Sequence, residues 1–229
     1  MDKLELSRLL AGREQDAITR TIAMMTFVPA IGRVLQEDAV WGFADLMVEA
    51  TSRLYGMPSR ESFDLLHAET CERLIASQKT ARGQTPAYGH AQKPINVFLK
   101  VYVDWAKLPD RSLAETLVPF LHVPLDSLLM KFISREFSED YEMRIGKLRR
   151  RRIDHTAERA KDFPDARSLA RMLAGKEFSL AAVDKELYLA WQEFFRDLWP
   201  SKPLMLDIIW FLERTRIRSE QLTKERGSQ

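Results

Sequence analysis

Apolar residues recur at helical spacing along most of this chain, and nowhere do they alternate with polar ones over a useful strand length. In "DAVWGFADLMVEATSRLYG", Val40, Phe43, Leu46, Met47, Ala50 and Leu54 share one helical face, with Gly56 as a stop. "SRESFDLLHAETCERLIASQK" opens on Ser59 and Ser62 and spaces Phe63, Leu66, Cys71 and Leu74 for a second helix. Residues 80–90, "TARGQTPAYGH", read as a loop by composition. From Gln92 to Trp105 the pattern changes character. Ile95, Val97, Phe98, Leu99, Val101, Tyr102, Val103 and Trp105 leave hardly a polar side, as in a helix buried all round. A connector with one short helix follows, and a further helix opens at Asp126. Residues 140–160 are a charged helix or loop; "SLARMLAG" and "FSLAAVDKELYLAWQEFFRDLW" are helical. Pro200 and Pro203 break the pattern before "LMLDIIWFLERTRI" closes it, and the last residues are expected to fray. The pattern predicts an all-α protein of about ten helices over residues 1–229, in two packed lobes with a cleft between them.

Composition narrows the chemistry. The 229 residues are 45% hydrophobic and 30% charged, with a formal net charge of +2, ordinary values for a globular protein. Cys71 is the sole cysteine, which excludes an intramolecular disulfide, a cysteine-rich zinc site and a four-cysteine cluster. No metal or other cofactor is expected. The N-terminal "MDKLELSRLLAGREQ" has no signal-like apolar core and no run is long enough to span a membrane, so a cytoplasmic monomer is expected.

Two positions carry candidate chemistry. Lys93 stands where the apolar helix is expected to begin, with Pro94 in its first turn and Gly89 and Ala91 small enough for a backbone to approach an anion. Asp126 follows an extended Val123-Pro124-Leu125 run and caps the helix it opens. Singly these read as a surface lysine and an ordinary cap. Together, Gly89-x-Ala91-x-Lys93 and Val123-Pro124-x-Asp126 resemble the helix-hairpin-helix DNA glycosylase superfamily, with its Gly-x-Gly-x-Lys hairpin and downstream Val-Pro-Val-Asp. Gln92-Lys93, Phe98 and Lys100, and the 33-residue step from Lys93 to Asp126, look closest to its archaeal 8-oxoguanine DNA glycosylase branch. The resemblance covers roughly residues 85–135. Ala91 stands where the family has its second glycine, and Pro94 directly after the lysine is unusual.

The resemblance implies cleavage of an N-glycosidic bond in duplex DNA with the target base flipped out. Lys93 becomes the amine nucleophile and Asp126 the carboxylate that steadies positive charge on the sugar. Strand nicking by β-elimination can follow from the Schiff base. An amine attacks only when neutral, a form that burial favours. The target is either oxidised guanine, in repair, or a modified base of phage DNA, in antiviral defence. The backbone is expected to meet Gly89, His90, Ala91, Gln92 and Lys100, together with Lys147, Arg149, Arg150, Arg151 and Arg152. That basic run reads equally as a solvated helix face balanced by Glu139, Asp140 and Glu142. Tyr88, His122 and Trp105 are the candidate base-pocket residues, drawn with Trp41, Phe43, Trp191 and Trp210 from the aromatics available. Two other readings remain: a non-catalytic DNA-binding protein of the same fold, and an all-α protein-interaction scaffold.

Overall fold

In a computed structural model, residues 3–10, 13–57, 59–159 and 178–227 are described. Among them the chain is all-helical without a strand, β pairing being limited to one isolated bridge between Leu35 and Thr80. The helix expected over residues 168–175 lies outside the described residues. Two compact units make up the chain: Met1–Pro86 with His90–Leu121, and Ala87–Gly89 with His122–Gln229.

The first unit is built from α1 (Lys3–Leu10), α2 (Glu14–Ile31), α3 (Ala39–Ser52), α4 (Arg60–Ser77), most of α5 (Tyr88–Leu99) and α6 (Arg111–Leu117). The apolar stripe read from Val40 to Ala50 belongs to α3, which turns inward Phe43, Leu46, Met47 and Ala50. Leu54 and Gly56 fall in a 3₁₀ turn beyond its end. Ser59 caps α4 and exchanges side-chain and backbone hydrogen bonds with Ser62, so the helix starts where its sequence says. The aromatic core runs through α2, α3 and α5: Phe27 lies 5.0 Å from Phe43, Phe43 meets Phe98 edge-on at 6.3 Å, and Phe98 stacks on Tyr102 at 5.2 Å. Rings at these separations add to the large apolar area each of them buries.

α5 departs from expectation at both ends. It begins at Tyr88, not Gln92, so the foreseen loop stops short and Gly89–Ala91 are helical. Pro94 therefore sits inside the helix, where it supplies no N–H for the i−4 bond. Beyond Leu99 the chain continues as a π-helical stretch, Lys100–Trp105, and the Ala106 N–H reaches back five residues to Val101 at 2.9 Å. Composition marks residues 80–90 as loop because it counts glycine and threonine. It does not register that Tyr88, His90 and Ala91 can extend an apolar helix backwards.

Polar side chains also lie inside this unit. Asn96 is buried on α5 and donates from Nδ2 to Gln92 Oε1 at 2.8 Å, one turn earlier. Its Oδ1 faces His67 Nε2 on α4 at 2.7 Å, so His67 donates there. Cys71 Sγ lies 3.8 Å from His67 Nδ1. The chain Cys71–His67–Asn96–Gln92 is sealed from solvent and ties α4 to α5. Replacing Asn96 with Leu leaves a buried N–H and a buried carbonyl facing an alkyl group. The expected loss is about 2–5 kcal/mol in urea-denaturation stability. A loss below about 0.5 kcal/mol would mean the network contributes nothing net.

The second unit holds α7 (Ser127–Glu136), α8 (Ser138–Tyr141), a π-helical turn (Glu142–Gly146), α9 (Lys147–Arg159), α10 (Lys185–Leu198) and α11 (Ile208–Gly227). Asp184 caps α10 by accepting from Leu187 N–H at 2.9 Å. Strong amphipathicity turns Leu187, Tyr188, Trp191, Phe194 and Phe195 inward, and Trp191 gathers Tyr141 at 5.6 Å and Phe195 at 5.3 Å. α11 packs on α7 and leaves Ile208, Phe211 and Leu212 exposed.

Candidate functional site

Lys93 is best understood from its neighbours. In α5, Ala91, Gln92, Pro94, Ile95, Asn96, Phe98 and Leu99 are buried, while His90, Lys93 and Val97 are partly exposed, and Lys100 is partly exposed just beyond. These four fall at i, i+3, i+7 and i+10, one stripe of a helix. The helix is thus sealed except along a line that carries two amines and an imidazole. Lys93 is six residues into α5, beyond the first turn where the field of the helix N-terminus acts. The sequence expectation of a lysine at the helix mouth is corrected to a lysine on its one accessible stripe.

The expected phosphate-binding hairpin is also corrected. Gly89 donates its N–H to Val183 O at 2.9 Å, within the second unit. A Cβ at Gly89 would collide with the Leu180 carbonyl and stand 2.9 Å from Val183 Cβ. Gly89 is needed because the 3₁₀ turn Leu180–Ala182 lies against the start of α5, and not because a loop meets an anion. Ala91 and Gln92 are fully buried at 0% exposure, Gln92 inside the network with Asn96. Direct DNA contact by Gly89, Ala91 and Gln92 is therefore not what this arrangement offers. His90 and Lys100 keep accessible surface.

Asp126 lies where it was expected. Its backbone is extended at φ −138°, ψ 150°, and its Oδ1 accepts from Leu128 N–H at 2.8 Å, capping α7. It is half-buried, and His122, Val123, Pro124 and Leu125 before it are all buried. α10 holds that run. The Val123 N–H donates to Gln192 Oε1 at 2.8 Å, while Gln192 Nε2 donates back to Val123 O at 3.0 Å. One turn earlier on α10, the Tyr188 hydroxyl shares a 2.6 Å hydrogen bond with His122 Nδ1. The sequence reading missed Gln192 and Tyr188. Gln192 had a legible signal, a polar amide set between Trp191 and Phe194 on an otherwise apolar face.

The three base-pocket candidates have different surroundings. His122 is buried against Tyr188, and Tyr88 packs 5.2 Å from the same ring, so both are core members of the second unit. Trp105 belongs to the first unit, is 66% exposed, and has Lys100 Nζ 4.8 Å above its ring. Phe43 and Trp191 are core residues and Trp41 is exposed.

The basic run folds as a helix stitched to carboxylates of its own unit. Arg150 pairs with Glu142, whose carboxyl it holds below the usual range. Arg152 meets the α10 cap Asp184 at 2.6 Å and donates to Ala182 O at 3.2 Å. Arg151 reaches Glu186 at 4.0 Å, and Arg144 pairs with Asp197. Lys147 is exposed and Arg149 half-buried. Of the carboxylates foreseen as balancing the run, Glu142 is seen to do so; Asp184 and Glu186 come from a distant stretch of sequence.

Among the described residues no group of three or more His, Cys, Asp or Glu side chains gathers to hold a metal, and no helix is long and apolar enough to cross a membrane. No protein-family model, no curated protein and no solved structure matches the chain.

Two predictions follow from the start of α5. Gly89→Ala is expected to lower stability by about 1–3 kcal/mol, because the 180–183 backbone must move to admit the methyl group; calorimetry on the purified variant reads it directly. His90 is buried enough that desolvation lowers its pKa below 6.5. The unfolded chain then takes up the proton first, so stability falls as pH drops through about 6.5 and levels off once folded His90 also titrates. His90→Gln is expected to shrink the difference in urea midpoint between about pH 7.5 and about pH 5.5. An unchanged difference would assign the acid sensitivity elsewhere.

Proposed function

We propose that this protein is a DNA glycosylase that removes a flipped, damaged or modified base, with Lys93 as nucleophile and Asp126 as its electrostatic partner. The observation that carries the reading is the stripe on α5. Of a helix otherwise sealed, the accessible line carries Lys93, in the position where the resembled motif has its catalytic lysine. Asp126 adds support, because its extended lead-in and its cap on α7 match the downstream half of the motif.

The chemistry asks little else. The Lys93 lone pair attacks C1′ as the glycosidic bond breaks, and the base leaves with the bonding pair and takes a proton. Asp126 steadies positive charge on the sugar in that step and then helps move the amine proton. With the amine proton gone, the nitrogen lone pair expels O4′ from C1′, which takes up a proton as the sugar ring opens to a Schiff base; this either hydrolyses or gives up a C2′ proton and expels its 3′ phosphate by β-elimination. Both groups must act on one nucleotide, in a helix-hairpin-helix-type fold working as a cytoplasmic monomer on duplex DNA. The base is oxidised guanine or a modified base of phage DNA.

A second reading has one observation in its favour. The arginines of α9 are engaged by Glu142, Asp184 and Glu186, which suits an all-α interaction scaffold better than a phosphate-tracking face. A non-catalytic DNA-binding protein lies between the two, with salt-dependent binding and no chemistry.

Borohydride trapping on duplexes carrying oxidised, alkylated or phage-type bases separates these readings. Wild type is expected to trap on at least one substrate and Lys93→Ala on none. Asp126→Asn is expected to slow base release by about 100-fold or more with DNA affinity little changed. Base release that survives Lys93→Ala but not Asp126→Ala would point to an activated water as nucleophile. Absence of both trapping and base release across all substrates removes the glycosylase reading, and absence of DNA affinity as well leaves the scaffold.

A further inference from the structure

We propose that Gln192 is the positioning residue that fixes where the Asp126 carboxylate stands. Its catalytic consequence rests on the glycosylase reading; its structural consequence does not.

Gln192 takes both peptide groups of Val123, accepting from the N–H at 2.8 Å and donating to the carbonyl at 3.0 Å. A side-chain amide here does what a neighbouring strand does elsewhere, in a protein with no strand among its described residues. Little freedom remains between that clamp and Asp126. A residue before proline is confined to extended backbone, which restricts Val123, and the ring of Pro124 locks its own φ. Leu125 is 0% exposed and cannot swing without opening the core. Asp126 then stands extended and caps α7 through Leu128. Gln192 is itself 1% exposed on α10, next to Trp191, so the clamp is anchored in the buried aromatic core of its unit. Tyr188, one turn back, holds the His122 ring through one side-chain hydrogen bond. A glutamine buried on an apolar face is costly unless its amide is matched on both sides, and Val123 matches it.

The test joins Gln192→Met, which keeps the volume and removes both hydrogen bonds, with Asp126→Asn in a double-mutant cycle. Single-turnover base release is expected to fall by about 10- to 100-fold in Gln192→Met, with DNA affinity held within about threefold. In the Asp126→Asn background the same change is expected to cost less than about threefold, because no carboxylate remains to misplace. Losses that simply multiply overturn the inference. Amide hydrogen exchange is the arm that needs no activity. Val123 and Leu128 are expected to exchange at least about tenfold faster in Gln192→Met relative to the amides of Trp191 and Phe195. Uniform acceleration, or none at Leu128, overturns the inference as well. Should wild type release no base from any DNA offered, the glycosylase reading falls and exchange alone decides whether Gln192 holds Asp126. Should Gln192→Met not fold, Gln192→Glu, which keeps the acceptor for the Val123 N–H, takes its place in both arms with the same outcomes.

Discussion

Sealing a helix on every face but one obliges each polar group on the sealed faces to find its partner inside the protein. α5 is such a helix, and the rest of the first unit is arranged around that demand. Gln92 and Asn96 lie on its buried side and close on His67 of α4, which in turn lies beside Cys71. The aromatic ladder Phe27, Phe43, Phe98 and Tyr102 fills the remaining buried surface. Lys93 cannot join either set. A lysine has three donors and a charge that core packing does not accommodate, so it falls on the line where water still reaches. Its accessibility is a consequence of everything its helix neighbours must bury.

The same constraint governs the segment before Asp126, with a different solution. His122–Leu125 is buried and non-helical, and among the described residues no strand lies alongside to take its peptide groups. α10 supplies side chains for that purpose, Gln192 to the backbone of Val123 and Tyr188 to the ring of His122. Both residues sit on the inward face of a helix whose other inward members, Arg196 apart, are aromatic or aliphatic. Polar residues on such faces mark irregular backbone that a helical protein must carry through its core.

How much of this was legible depended on whether the deciding contact was local. The cap at Asp126 and the Ser59 start of α4 are set within three residues, and both appear where the sequence puts them. The α3 stripe is likewise a local periodicity. The start of α5 was misread because the deciding contacts lie far along the chain. Gly89 is helical with its N–H on Val183, and nothing within ten residues of it announces that partner. His67 and Asn96 looked unremarkable for the same reason, being 29 positions apart. At α9 the sequence left two options open, and the deciding carboxylates Asp184 and Glu186 lie more than thirty positions away.

Charge deserves separate weighing from geometry, because here the two point in different directions. The geometry of α5 leaves the Lys93 amine on an accessible line, and that of α7 leaves the Asp126 carboxylate half-buried at its cap. The electrostatics of α9 show arginines already engaged by carboxylates. The exposed pairs of Arg150 and Arg151 hold weakly, and a polyanion can compete for these two arginines at little cost, whereas the Arg152–Asp184 pair is half-buried. Paired arginines are therefore weak evidence against DNA binding. A buried glycine, alanine and glutamine where a hairpin was expected weigh more, since no ligand recruits them without opening the core. Any phosphate contact that α5 makes beside Lys93 then comes from the other polar side chains on the same stripe, His90 and Lys100. On the glycosylase reading proposed above, α5 would grip the DNA backbone with the Lys100 amine and the His90 imidazole in place of peptide N–H groups. The protein's affinity for DNA then falls more steeply with salt than a peptide-lined hairpin alone dictates, because each lysine ammonium engaged releases a counterion whereas a neutral amide does not.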